Sequence, residues 1–303
     1  MLLQVKKSID QSIQILVDRF IFTNFLGLSR AILALSTLLT LIFNNPDTLF
    51  SPYGGTGRNR ISNSFLDKAN FFYLLPYNQV KVLILLAILI LLLVISGFFI
   101  TVTSILHFWI CVSFINAAIL IEGGDQIASN LSLLLIPICF CDPRHNHWER
   151  INNDLKITFL KERNLISNYF LVIIRLQVAF IYFHAAIGKM GVEDWINGTA
   201  IYYWFNNPTF GMSNWLKPLL SPILESPYTI VILTWGVIFF EFSLFIALFL
   251  NKKYYLRLLV MSILFHFLIV IVHGLFSFFL AMSSALIFYL APLDKTVKIK
   301  FKK

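Results

Sequence analysis

The sequence predicts an all-α, polytopic integral membrane bundle of about eight spans, with both termini cytoplasmic. Three observations predict it. Hydrophobic residues make up 58% of the chain and charged residues only 13%, about half the ~25% charge of a soluble domain. The apolar runs are long and continuous rather than alternating, which excludes a transmembrane β-barrel. Lys and Arg are segregated between alternate loops. A mean hydropathy of +0.79 also excludes a soluble enzyme, a disordered chain and a coiled coil. Three cysteines, Cys111, Cys139 and Cys141, are too few for a disulfide scaffold.

Residues 1–23 are amphipathic: Leu2, Val5, Ile9, Ile13, Leu16 and Phe20 recur at helical spacing, with Lys6, Lys7, Asp10 and Asp18 elsewhere around the helix. This pattern predicts a segment lying in the cytoplasmic interface. Span 1 covers about 24–44 and ends at Asn44-Asn45-Pro46; a polar loop with Tyr53-Gly54-Gly55-Thr56-Gly57 follows. Val82 to Ile121 holds 40 residues without Asp, Glu, Lys or Arg. That is about 60 Å of helix, enough to cross a ~30 Å core twice, so spans 2 and 3 are expected to turn near Thr101–Ser104. Glu122-Gly123-Gly124-Asp125 forms the next turn, and span 4 covers about 126–141. A charged loop from Asp142 to Asn164 leads to span 5 at about 167–188. A long loop with Pro208, Pro218, Pro222 and Pro227 leads to span 6 at about 228–250. Leu258 to Leu293 is 36 residues without charge, two more crossings that turn near His273-Gly274. Residues 293–303 form a basic cytoplasmic tail.

With eight spans, sixteen Lys and Arg fall on the side of the termini and six on the other, which predicts cytoplasmic termini in a cell membrane. The net charge of +9 is therefore read as a membrane signature, and no nucleic-acid partner is expected.

Three charges fall inside spans: Arg30, Arg175 and Glu241. Their matching depths predict a structural cluster in the cytoplasmic half, with Glu241 paired to Arg175 or Arg30. On the outer side the sequence predicts a polar site of Asp125, His184, Lys189, Asp194 and His273, with His266 deeper on the same face of span 7. A lysine at an apolar mouth loses solvation and can act as a base. Its bland alternative is snorkelling to the interface. Cys139, Cys141, His145 and His147 resemble a metal cluster by composition, but two cysteines on one helix about 200° apart point in different directions, and no metal site is expected.

Several segments together resemble one family, over about residues 24–292. They are Gly27-Leu28-Ser29-Arg30-Ala31 opening span 1, Gly123-Gly124-Asp125-Gln126 after span 3, the K-x-x-x-x-D-W-x-x-G stretch from Lys189 to Gly198, and Phe265-His266 followed by Gly274 and Phe276-Ser277. These resemble the HTTM membrane domain, the fold of the vitamin K-dependent gamma-carboxylase. Span 1 with its exit Asn44-Asn45-Pro46-Asp47-Thr48-Leu49-Phe50 is closest to the sporulation-delaying protein B branch of that family. The resemblance implies that Lys189 matches the base that deprotonates vitamin K hydroquinone and that His266 matches the family's F-H position. It departs at Gly188, where the carboxylase has a second lysine, and in the short sequence after span 8, where the carboxylase has a lumenal domain. The function it implies is maturation of a secreted peptide toxin, beside a toxin precursor and a small partner protein. The alternatives are a quinone-dependent, carboxylase-like enzyme, or a toxin transporter or immunity protein.

Overall fold

A computed structural model describes residues 10–11, 13–50, 68–150 and 157–295. The parts of the N-terminal segment, the Gly-rich loop, the charged loop and the basic tail that fall elsewhere lie outside the described residues. The described chain is an all-α helical bundle. Its principal helices are α1 (Asn24–Phe43), α2 (Val80–Ser96), α3 (Ile100–Ala117), α4 (Gly123–Cys141), α5 (Leu160–Lys189), α6 (Pro227–Ile246), α7 (Tyr255–His273) and α8 (Phe276–Leu290).

Seven of these helices are long and apolar enough to cross a membrane, while α8 has only 15 residues. Eight full spans were expected; the last is a short one. Its ends nevertheless reach both ends of the bundle. Ser277 donates to the Glu122 carboxylate at the start of α4. At the other end the Thr23 hydroxyl donates to the Leu293 carbonyl at 2.7 Å, and Arg19 faces Asp294 at 3.6 Å. Between them the Ser284 hydroxyl donates to the Ser29 carbonyl at 2.8 Å. Helices α1 and α8 are thus antiparallel neighbours, and residues 23 and 293 lie at the same end. Every residue from Ala281 to Leu290 is buried. A helix enclosed by protein does not have to match the thickness of lipid, as an exposed one does.

The turn between α2 and α3 comes at Gly97, earlier than expected. Gly97 has φ +88 and its N–H donates to the Val94 carbonyl, a left-handed helix cap. A Cβ there would collide with the Asn146 side chain and come within 2.7 Å of His147. The polar Thr101 and Ser104 do not break the chain. They sit inside α3, where the Ser104 hydroxyl bonds back to the Thr101 carbonyl and the Thr101 hydroxyl donates to the Cys139 carbonyl of α4.

Residues 13–18 are helical and dock on the first turns of α5. Asn164 donates to the Val17 carbonyl at 2.9 Å, and Asn168 to those of Leu16 and Arg19 at 3.0 and 2.7 Å.

The register of α5 against α6 positions the site. Phe183 stacks on Phe245 with centroids 4.8 Å apart, and Lys189, the last residue of α5, meets Glu241. Glu241 lies fourteen residues into α6, about 21 Å from its start. Helix α5 therefore stops well short of the start of α6, which runs antiparallel to it. The chain fills the remaining depth with two short helices, Glu193–Ile196 and Ala200–Phe205. They pack on the first half of α6: Gly198 lies against Val231, and the Ile201 N–H donates to the Thr234 hydroxyl at 3.3 Å. Trp195, Gly198, Ala200 and Ile201 are buried against the bundle, while residues 190–194 and 202–204 are exposed.

Candidate functional site

The only acidic residue of α6, Glu241, accepts a hydrogen bond of 2.6 Å from Lys189 Nζ. The ammonium also donates to the Ala185 carbonyl at 3.2 Å and lies 5.2 Å from the centroid of the Trp195 ring. Side-chain exposures of 20% for Lys189 and 11% for Glu241 describe an ion pair largely withdrawn from solvent. Moving two such charges out of water is costly and is offset only by close geometry and further polar partners; here the Ala185 carbonyl accepts a second ammonium proton and the Trp195 ring faces the cation.

Seven residues before Lys189 on α5, and so two turns away on the same face, is Tyr182. Its hydroxyl lies 2.8 Å from His266 Nε2 on α7. Both side chains are buried, and His266 Nδ1 has no partner among the described residues. Lys189 is within electrostatic range of His266, and Glu241 of Tyr182. Ion pair and Tyr–His pair together form one polar constellation inside the bundle, linking α5, α6 and α7. It contains a carboxylate and an amine in contact, an arrangement that can pass a proton, and an imidazole with one nitrogen free to accept or donate.

The structure brings together only part of the expected outward site. Lys189 and His266 belong to the constellation, but Lys189 lies at an interior level of α6 rather than at the mouth of span 5. Glu241, expected among the structural charges with Arg175 or Arg30, is its partner. The reason is the early stop of α5. Asp125 caps α4: its carboxylate accepts from the Glu122 N–H at 2.9 Å in a reciprocal capping box. His184 is exposed on the face of α5 opposite Tyr182, and Asp194 is exposed on its short helix. His273 Nδ1 lies 2.7 Å from the Phe210 carbonyl, so it anchors the 190–226 segment to α7.

Arg30 and Arg175 serve elsewhere. Arg30 is buried and donates to His147 Nδ1 at 3.1 Å, to the Ile100 carbonyl at 3.2 Å and to the Thr103 hydroxyl at 2.5 Å. It ties α1 to the start of α3 and to the loop after α4. His147 accepts from a cation, so it is neutral with its proton on Nε2. Burial, and then the charges of Arg30 and Arg144, push its imidazole down to about 3. Arg175 Nε donates to the Phe288 carbonyl at 3.2 Å. The Cys139, Cys141, His145 and His147 set does not converge, and among the described residues no group of three or more His, Cys, Asp and Glu is placed to hold a metal ion.

Sequence reasoning missed Tyr182, met Trp195 only as the W of the Lys189–Gly198 stretch, and met His147 only in the metal-like set. A signal existed for Tyr182, which shares a helix face with Lys189. The motif marked Trp195 without its contact to Lys189, which depends on the break after α5. The alternative, quinone-dependent reading would hold an isoprenoid ring between spans 5 and 7. At that level the Tyr182 hydroxyl and His266 Nε2 lie 2.8 Å apart.

No protein-family model matches the chain, and no solved structure matches it. Two curated proteins of Bacillus subtilis (strain 168) are similar over nearly its whole length. The uncharacterized protein YitO is 36% identical over 97% of this chain and 94% of its own. Sporulation-delaying protein SdpB is 37% identical over 92% of this chain and 84% of its own. With that identity carried across the whole helical bundle, the chain belongs to the sporulation-delaying protein B family of multi-pass membrane proteins.

Proposed function

We propose that the chain acts in the cytoplasmic membrane of a bacterium to mature a secreted peptide toxin of the sporulation-delaying type, beside the toxin precursor and a small partner protein. The observation that carries this reading is the 37% identity to sporulation-delaying protein SdpB. Lys189 and Glu241 are its acid–base pair, with Tyr182 and His266 holding the proton network beneath them. What supports that assignment is the enclosed 2.6 Å contact between the amine and the carboxylate: two groups that exchange one proton can each serve as acid or base without a net charge entering the apolar interior. The likeness to the HTTM and carboxylase domain at Lys189 supports the same residue.

The test is mass spectrometry of the peptide secreted by cells that carry a toxin precursor and its partner. Wild type is compared with a deletion and with Lys189→Ala, with membrane levels checked by blot. Loss of mature peptide in both is expected, and the mass of the accumulated precursor names the missing step. Normal mature peptide in the deletion strain would refute the role.

One observation favours a second reading, toxin export. Helix α5 breaks within the bundle and continues as short helices, and interrupted helices bordering a polar site are a transporter feature. Fully matured peptide trapped inside deletion cells would favour export; unprocessed precursor would favour maturation.

A further inference from the structure

At the end of the bundle where Thr23 meets Leu293, a cleft of about 940 Å³ opens between Gln11, residues 14–19, α5, the start of α7 and the end of α8. Its ionisable side chains include Arg19, Arg175, Lys252 and Lys295 against Asp18 and Asp294, an excess of two positive charges. Both acids are already engaged. Asp18 accepts from the Gln14 amide at 2.9 and 3.0 Å, and Asp294 faces Arg19 at 3.6 Å. Arg175 is held by one nitrogen: its Nε donates to the Phe288 carbonyl. Among the described residues no protein group accepts from its two terminal nitrogens. Those nitrogens form a planar fork that fits two oxygens of a phosphate.

The cleft is also apolar on one side. Ile15 and Leu256 line it, and Leu256 leads to Val260 along α7, 62% and 51% exposed. An anion held at Arg175 would therefore sit beside a surface suited to hydrocarbon. A free inorganic anion would gain nothing from that wall. A phospholipid would use both, and an anionic one would also answer the excess positive charge.

We propose that this cleft binds the headgroup of an anionic phospholipid, with Arg175 as the phosphate fork, Lys252 beside it and the acyl chains passing out over Leu256. The site is separate from the Lys189–Glu241 pair, fourteen residues and about 21 Å further along α5, and it does not depend on the toxin reading.

The full chain, purified in a mild detergent, is titrated with phosphatidylglycerol, with phosphatidylcholine or with inorganic phosphate. Thermal unfolding and native mass spectrometry are the readouts. Phosphatidylglycerol is expected to raise the unfolding temperature and to remain bound in the mass spectrum, while phosphatidylcholine and phosphate do neither. Arg175→Gln should weaken phosphatidylglycerol retention about tenfold, the loss of charged hydrogen bonds to a phosphate. Lys252→Gln, at an exposed position that the fold does not need, should weaken it about threefold. Should Arg175→Gln fail to fold, Lys252→Gln decides alone. Equal retention of both lipids by the wild type, unchanged retention in the variants, or a shift by inorganic phosphate as large as that by phosphatidylglycerol would overturn the proposal.

Discussion

Lys189 closes the end of α5 onto the interior of α6 by its 2.6 Å contact with Glu241. Removing one partner leaves the other charged in an apolar setting. Lys189→Met or Glu241→Leu alone should each destabilise the bundle by about 3–5 kcal/mol, while the double substitution should recover most of that loss. Thermal unfolding in detergent measures both. Toxin maturation should stay abolished in the double variant, because an apolar pair restores packing and not proton exchange. A double variant that matures peptide normally would show the pair to be structural only.

Among the described residues, the Tyr182 hydroxyl is the hydrogen-bond partner of the His266 ring. Tyr182→Phe keeps the packing and leaves both ring nitrogens without a partner, a cost of about 1–3 kcal/mol. Its effect on the Lys189 site should appear as a changed pH profile of maturation with membrane levels retained. An unchanged profile would remove the Tyr–His pair from the proton network.

His147 predicts how stability depends on pH. In the unfolded chain its imidazole takes a proton below its ordinary value of 6.5, whereas burial beside Arg30 and Arg144 delays protonation to about 3. Protons therefore favour unfolding. The contribution is constant above about pH 6.5 and falls by about 1.4 kcal/mol for each pH unit below it, down to about 3. His147→Gln, whose amide oxygen can still accept from Arg30, should flatten that part of an unfolding-temperature profile measured from pH 7 to pH 4.5.

Membrane orientation has its own test. The three native cysteines are buried, so an introduced one reports alone. Gly198 is a poor probe site because it packs against Val231 with φ +75. Asn214 and Lys253 are exposed. With cytoplasmic termini, a thiol reagent that does not cross membranes should label Asn214→Cys in intact cells and leave Lys253→Cys unlabelled until the cells are opened. The reverse pattern would turn the molecule over.

Span positions were legible in the sequence because an apolar run long enough to cross a bilayer leaves few alternatives. The α7–α8 turn at His273-Gly274 came at its expected place for that reason. The α2–α3 turn did not, because polar Thr101 and Ser104 suggested a break, yet Ser104 bonds back within α3 and Thr101 to the α4 carbonyl of Cys139, while one glycine, Gly97, supplied the left-handed cap. The site was half legible. Lys189 and His266 stood out by residue type. Depth is not encoded in helical periodicity, so nothing local revealed that α5 ends inside the bundle. The choice of Glu241 as partner, 52 residues on, follows from that register alone. Arg30 misled for a related reason: a buried cation was expected to take a carboxylate, and here two oxygens and a neutral imidazole solvate it instead.

The enclosed position of α8 also governs how the molecule can be made. Helices leave the ribosome in order, and the one that fills the centre leaves last. Until it arrives, the Ser29 carbonyl and the Thr23 hydroxyl of the first helix lack the partners that α8 and its exit supply. The earlier spans must wait as an open ring, their inner faces against lipid or a chaperone, and the final helix must enter between them. Biogenesis should then be unusually sensitive to nonsense and frameshift lesions near the 3′ end of the coding sequence: a chain ending before residue 276 would insert its other spans and still leave an empty middle for membrane proteases to recognise.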